Sequence, residues 1–337
     1  MLTPSSFLRL SFSPDLIQGG IAYAVRSLPY TYNRMGGSPY DRLRRIAAGV
    51  AVELAFRRYL AHHDIPYDLQ GWTPFTQPDR YDLSLGGHRC DLKSFLITRR
   101  AQIRRIRRDP SLLLDAPALV PVDQDAAEGR RDDDLYLFAF VAALVAASRR
   151  DMQRAQAAGQ PLYLLHALSK PWANPYLWAP LGPLALKSDC ETSMVVEIGG
   201  QLEDRSYATE TVHLPPRTRV EAGTPFFSIT SLHVDRLPSG RIALRSPLRS
   251  QTYVIAPYEW GNIWIYGMDI FLTGWILRRE FRLRARVIPA GMRVFQYDRT
   301  QVKNLAVDVR RLHSLHDLFE RVKEWEANKK ARKRAFQ

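Results

Sequence analysis

The chain of 337 residues has only two cysteines, Cys90 and Cys190, with no histidine-rich companion at metal-ligand spacing. That argues against both a disulfide framework and a zinc site. No GxxxxGK(S/T) segment and no glycine-rich nucleotide loop is present, so no ATPase motor lies in this chain, although a separate motor subunit could act with it. The first residues lack the charged start and apolar run of a signal peptide. The longest apolar run, residues 135 to 147, is short and bounded by Asp132 to Asp134 and by Arg149-Arg150, so it is not expected to span a bilayer. GHRC and DCETS, around the two cysteines, form no Ser/His or Cys/His hydrolase signature. Repeats and coiled-coil heptads are missing too. A cytoplasmic protein without a membrane partner is the simplest expectation.

Positive charge, by contrast, is in excess: 48 Lys+Arg stand against 34 Asp+Glu, a formal +14. Such a chain attracts polyanions, and phosphate neutralisation supplies most of the sequence-independent affinity for nucleic acid. Hydrophobic residues make up 46% of the chain and aromatics 11%, which is enough for a folded core and excludes a disordered basic protein. Six arginines, Arg99, Arg100, Arg104, Arg105, Arg107 and Arg108, lie within RRAQIRRIRR. Six more fall in residues 278 to 293, and the tail KKARKR (329 to 334) adds five basic residues. Arginine suits bidentate phosphate contacts, so the first cluster is expected to bind nucleic acid.

Residues 77 to 100, QPDRYDLSLGGHRCDLKSFLITRR, read as two short strands joined by a turn at Gly86-Gly87. Side chains alternate along a strand, so Asp91 and Lys93 share a face while Cys90, Leu92 and Ser94 take the other. On the first strand Tyr81, Leu83 and Leu85 form the apolar face and Asp82 the polar one. Upstream, residues 40 to 62 have helical periodicity, with Ile46, Val50 and Leu54 as the buried stripe and Asp41 as N-cap or first-turn acid. Glu53 lies beside that stripe, where a carboxylate is costly unless paired or metal-linked. Two carboxylates and an amine on one side of a small sheet suit phosphodiester hydrolysis. Hard cations such as Mg2+ prefer oxygen, so Asp82 and Asp91 are candidate ligands, with the Leu92 carbonyl as a further donor. Lys93 would position the attacking water or neutralise developing charge.

The order Glu53, Asp82, Asp91-Leu92-Lys93 resembles the PD-(D/E)XK restriction-endonuclease-like superfamily over roughly residues 40 to 97. Asp82 matches the first motif aspartate, although Pro78-Asp79 also spells the dipeptide. Asp91 and Lys93 match the (D/E)XK positions, and Glu53 the helical glutamate of many members. GWILRREF…IPAG is similar to a segment following the catalytic strands in some prokaryotic nucleases of the superfamily. The resemblance implies an α/β fold, a restriction-endonuclease-like mixed sheet flanked by helices, with a β-rich insertion or subdomain. It implies a metal-dependent DNA endonuclease of prokaryotic defence or mobile-element processing, using Mg2+ or Mn2+. Asp82, Asp91 and Glu53 would hold the metal, Glu53 alternatively orienting water, and Lys93 would complete the catalytic set. An RNA-directed nuclease with the same site, or a non-catalytic nucleic-acid-binding subunit of a larger complex, are the alternatives. Cutting both strands would favour a homodimer or a partner subunit.

The expected organisation has five parts: a loop-rich arm (1–38), the nuclease core (39–170), a β-rich insertion (171–256), a strand/helix segment returning to the core (257–320) and a basic tail (321–337). Residues 109 to 134 read as a long surface loop. Residues 135 to 144 and 161 to 169 read as buried strands, separated by a helix that Gly159 closes.

Overall fold

A computed structural model describes residues 2–30, 38–69 and 81–335, with side chains described as far as residue 327. Tyr32, Arg34, Pro78-Asp79 and the side chains of the 329–334 cluster lie outside the described residues. The chain is mixed α/β and falls into two compact units. One comprises Met1–Gly20, Arg45–Leu144 and Tyr266–Gln337; the other Ile21–Arg44 and Val145–Ile265. Among the described residues no helix is long and apolar enough to cross a membrane.

Strand β1 (Leu8–Leu10) opens the first unit, which also takes helix α1 (Pro14–Ser27) as far as Gly20 and helix α2 (Pro39–His62) from Arg45 onward. Strands β2 (Asp68–Leu69), β3 (Leu83–Leu85) and β4 (His88–Ile97) follow, then helix α3 (Arg100–Arg108), strand β5 (Pro117–Pro121), the short helix α4 (Val122–Asp125) and strand β6 (Leu135–Val145). The chain returns as β7 (Ile265–Leu277), α5 (Arg278–Arg284), β8 (Arg286–Ile288), β9 (Asn304–Asp308) and α6 (Leu315–Ala335). Six strands form one sheet in the order β1-β7-β6-β4-β3-β2, so both long apolar segments, 135–145 and 265–277, complete it. β4 and β6 run parallel, from Cys90↔Leu135 to Ile97↔Ala142, whereas β3 and β4 form an antiparallel hairpin. Its turn is Gly86-Gly87 at φ 57° and 87°, positive values that glycine adopts without steric cost.

Each face of the sheet has its own cover. Phe95 and Ile97 of β4 join Tyr136, Phe138, Phe140 and Ala142 of β6 in a core completed by Ile103 and Ile106 of α3, Phe281 of α5 and residues of the small β8-β9-β5 sheet. Cys90, Leu92, Leu135, Leu137 and Val141 are buried on the opposite face. There α2 approaches closely: an ideal Cβ on Gly49 would lie 3.3 Å from Ser94 Oγ.

Three local expectations are corrected. Residues 1–38 are not chiefly loop, because α1 occupies Pro14–Ser27 and buries Leu16 and Ile17. Its Gly19-Gly20 pair serves a helix crossing: a Cβ on Gly20 would lie 2.2 Å from the Ala47 carbonyl oxygen. In α2 the half-buried Ile46, Val50 and Leu54 are not the core stripe. Ala47, Ala51, Val52, Phe56 and Leu60 are buried instead, since small residues let α1 come near. Ser38 caps α2, its hydroxyl accepting from Asp41 N at 3.1 Å, which leaves Asp41 as the first-turn acid. Finally, residues 109–134 contain buried β5, whose Ala118, Leu119 and Val120 form part of the core.

The second unit is β-rich. One antiparallel sheet orders Tyr207–Leu214, Met194–Gln201, Ser228–Val234, Leu164–Ala167 and Gly261–Asn262; another orders Arg219–Ala222, Leu184–Ser188, Ile242–Arg245 and Tyr253–Ile255. The expected helix is Arg149–Ala157, capped by Ser148 and followed by Gly159 at φ 64°. Burial holds His166 and His233 below the ordinary imidazole value, so both favour the neutral form. His166 Nε2 lies 3.1 Å from Tyr253 Oη, and the His233 ring stacks on Tyr163 at 3.7 Å.

Two outcomes are expected. Gly20→Val should cost on the order of 1–3 kcal/mol, the usual penalty of overpacking, read as a lower midpoint in urea denaturation. The two histidines are depressed in the folded state, so their contribution is complete above about pH 6.5 and is lost as pH falls toward their folded-state values. Urea midpoints compared at about pH 7.5 and 5.5 should therefore drop less in a His166→Gln/His233→Gln variant than in the parent chain.

Candidate active site

On β4, Asp91 and Lys93 share a face with Phe95 and Ile97, but they lie at the strand's beginning, before the apolar core closes over it. Lys93 Nζ is 2.8 Å from Asp91 Oδ1, so the two side chains form a pair along one strand. Asp82 precedes β3 rather than lying within it. Leu83 is the ladder partner of Cys90, yet Asp82 N donates to Cys90 O at 2.9 Å, so the chain enters β3 out of ladder geometry. This turns the Asp82 carboxylate onto Leu92 N, at 2.5 Å, and Asp82, Asp91 and Lys93 thus gather around one short stretch of β4.

Two residues not anticipated from sequence complete the cluster, both from the connection between β4 and β6. Gln124 of α4 accepts from Lys93 Nζ through Oε1 at 2.9 Å. Arg130 folds back over Asp91, its Nη2 2.7 Å from Oδ2, and each of these side chains is only 9% exposed. The contact is Coulombic more than directional: Asp91 Oδ2 and Arg130 Nη1 are both buried without a hydrogen-bond partner among the described residues. Burial works against the Arg130 charge, but Asp91 outweighs it and holds the guanidinium above its ordinary value.

The surroundings fix this arrangement. Asp125, next to Gln124, receives Tyr136 Oη at 2.9 Å and Arg278 Nε at 3.2 Å, and pairs with Arg282 at 3.2 Å. Burial, followed by Asp125, pushes the Tyr136 hydroxyl far above its usual value, so Tyr136 remains a donor. Asp134, 2% exposed, grips Arg89 through both oxygens at 2.7 Å. Cys90 is wholly buried; burial first, then Asp82, Asp91 and Asp134, push its thiol well up and keep it protonated.

Glu53 rises from α2, which covers the other face of the sheet. Its Oε2 is 3.9 Å from Arg57, and Arg57 in turn donates to the Asp82 carbonyl at 3.4 Å. Glu53 is thus linked to the Asp82 end of the cluster. Among the described residues, however, no three His, Cys, Asp or Glu side chains gather closely enough to hold a metal ion. The expected ion pocket of Glu53, Asp82 and Asp91 is therefore not assembled. The donor chemistry suits a hard divalent cation at Asp91, whose buried Oδ2 lacks a hydrogen bond, but Arg130 stands against that oxygen.

The arginine cluster divides by role. Arg99 is tied to Asp298 at 2.5 Å and to the Phe295 carbonyl at 2.7 Å, and Arg107 to Asp269 at 2.6 Å and the Gly267 carbonyl at 2.8 Å. These two are committed within the fold. Arg100, Arg104, Arg105 and Arg108 are exposed on α3, opposite its buried Ile103 and Ile106.

The chain matches no protein-family model, no curated protein and no solved structure. The geometry of the cluster is therefore what its chemistry must be argued from.

Gln124 and Arg130 carry no motif of their own. The available signal is the apolar ALV of residues 118–120, which marks a strand and should have brought the following VDQD to the sheet. One expected outcome concerns support of the site. Asp134→Ala leaves the largely buried Arg89 unpaired and should destabilise the chain by about 3–5 kcal/mol, measured by urea denaturation.

Proposed function

We propose that the chain is a metal-dependent DNA endonuclease with a restriction-endonuclease-like core. The observation carrying this reading is the Asp91–Lys93 pair on β4, with Asp82 turned toward the same stretch of strand and Gln124 holding the amine. The reaction is phosphodiester hydrolysis, in which a water oxygen bonds to phosphorus, one P–O ester bond breaks and the departing oxygen takes a proton. Asp91 and Asp82 would hold Mg2+ or Mn2+, and Glu53, linked to the Asp82 end through Arg57, would have to be drawn in to join them. A bound divalent cation would lower the pKa of a coordinated water and stabilise charge on the phosphate oxygens.

The chain's own groups have separable tasks. Lys93, fixed between Asp91 and Gln124, keeps a compact positive charge aimed at the reacting phosphate or its water. Arg104, Arg105 and Arg108 offer an exposed basic row for the flanking backbone, with Arg100 alongside. A role in prokaryotic defence or mobile-element processing agrees with a β-rich second unit attached to such a core.

Two observations favour a second reading. Without an assembled ion pocket, and with Arg130 on Asp91, the chain would serve as a non-catalytic nucleic-acid-binding subunit. Plasmid conversion separates the two. The parent chain should nick or linearise DNA with Mg2+ or Mn2+ and not with chelator, while Lys93→Ala should lose at least about a hundredfold in rate and keep its DNA affinity. Persistent cleavage by Lys93→Ala would remove the lysine from its assigned role. An inert parent whose DNA binding is indifferent to Asp91→Ala would leave the binding subunit. RNA run beside DNA tests the choice of polynucleotide.

A further inference from the structure

In the 278–293 group most arginines are spent within the fold. Arg278 and Arg282 meet Asp125, Arg284 meets Glu280 and Arg286 meets Asp308. Helix α3 is different. Its ends are tied down: Arg99 and Gln102 both donate to the Phe295 carbonyl at 2.7 Å, and Arg107 holds Asp269 and the Gly267 carbonyl. Ile103 and Ile106 pin its underside in the core. No acidic residue lies in the helix. Arg104, Arg105 and Arg108 are exposed, and among the described residues their side chains form no hydrogen bond or ion pair. A rigid helix thus presents charges that the fold itself does not use.

Those charges are evenly placed. A step of four residues advances a helix by ~6 Å, so Arg100, Arg104 and Arg108 form one exposed ridge of constant pitch. Arg105 stands to one side of it, with the small, exposed Ala101 between. Neighbouring phosphates along a strand, separated by a full sugar-phosphate repeat, lie at a similar step, and a guanidinium fork matches one phosphate. A line spanning a groove would put the outer arginines on opposite strands and leave Arg104 away from phosphate. Contact along one strand engages all three. We propose that the α3 ridge tracks the backbone of one polynucleotide strand, so that a single strand is bound through it as well as a duplex is. The inference rests on the nucleic-acid reading given above. It makes the row indifferent to base sequence and to base pairing, with placement of a strand as its task.

Fluorescence anisotropy of end-labelled single-stranded and duplex DNA of one sequence, titrated with the full chain over a range of NaCl and with chelator present, tests this without reference to cleavage. In Arg104→Gln/Arg108→Gln the plot of log K against log [NaCl] should flatten on both ligands. The slope should fall by about 0.7 per arginine removed on the single strand and by about 0.9 on the duplex. Arg104→Lys/Arg108→Lys should keep the parent's slope, because that slope counts neutralised phosphates. Flattening on the duplex alone would overturn the one-strand placement, since the row would then need both backbones. An unchanged slope on both ligands, in a glutamine variant that still binds them, would overturn contact through α3 and leave the nucleic-acid reading standing. A parent chain with no salt-dependent affinity for either DNA would remove that reading, and this inference with it.

Discussion

The parallel pairing of β4 with β6 is the constraint on which the rest of the first unit depends. It runs from Cys90↔Leu135 to Ile97↔Ala142 and sets Asp91 against Tyr136 and Lys93 against Phe138. Along β4 one face therefore changes character, from Asp91 and Lys93 to Phe95 and Ile97. Parallel neighbours cannot be joined by a tight turn, so the chain needs a long crossover. Here the crossover supplies α3, β5 and α4, and on its way back it delivers Gln124 and Arg130 to the start of β4. The connection that closes the sheet also builds the cluster on it.

Burying charge at that end of the sheet has been managed by pairing each of the buried carboxylates Asp91, Asp125 and Asp134 with an arginine. Asp91 faces Arg130, Asp134 grips Arg89, and Asp125 meets Arg278 and Arg282. Such pairs seldom add net stability over apolar packing, because desolvation offsets most of the Coulombic gain. They do fix geometry, since a misplaced partner would leave an isolated charge in a poor solvent. Asp134 and Asp125 satisfy this condition with good hydrogen bonds, whereas the Asp91–Arg130 contact lacks one.

What the sequence revealed follows from where local pattern is enough. The Gly86-Gly87 hairpin, the alternation that pairs Asp91 with Lys93, and the apolar strands β6 and β7 are written in short-range periodicity and turn chemistry. Helix α1 is not legible from local pattern, because Gly19-Gly20 reads as a loop unless Ala47 lies against it. The stripe of α2 escapes periodicity for the same reason: a close helix crossing rewards Ala47 and Ala51 over larger neighbours. Strand β5 is short and bounded by Pro117 and Pro121, which makes it read as loop, and the residues it leads toward the site were missed with it. Arg99 and Arg107 could not be told from their exposed neighbours, because Asp298 and Asp269 lie far along the chain.

The scarcity of cysteine has a use that follows from where the two thiols sit. Cys90 and Cys190 are both fully shielded, one in each compact unit. A thiol in that position reacts with an alkylating reagent only while its surroundings are transiently open. The unaltered chain therefore carries two independent clocks of local opening, and the Cys90 clock lies between the very carboxylates whose hold on the hairpin matters most.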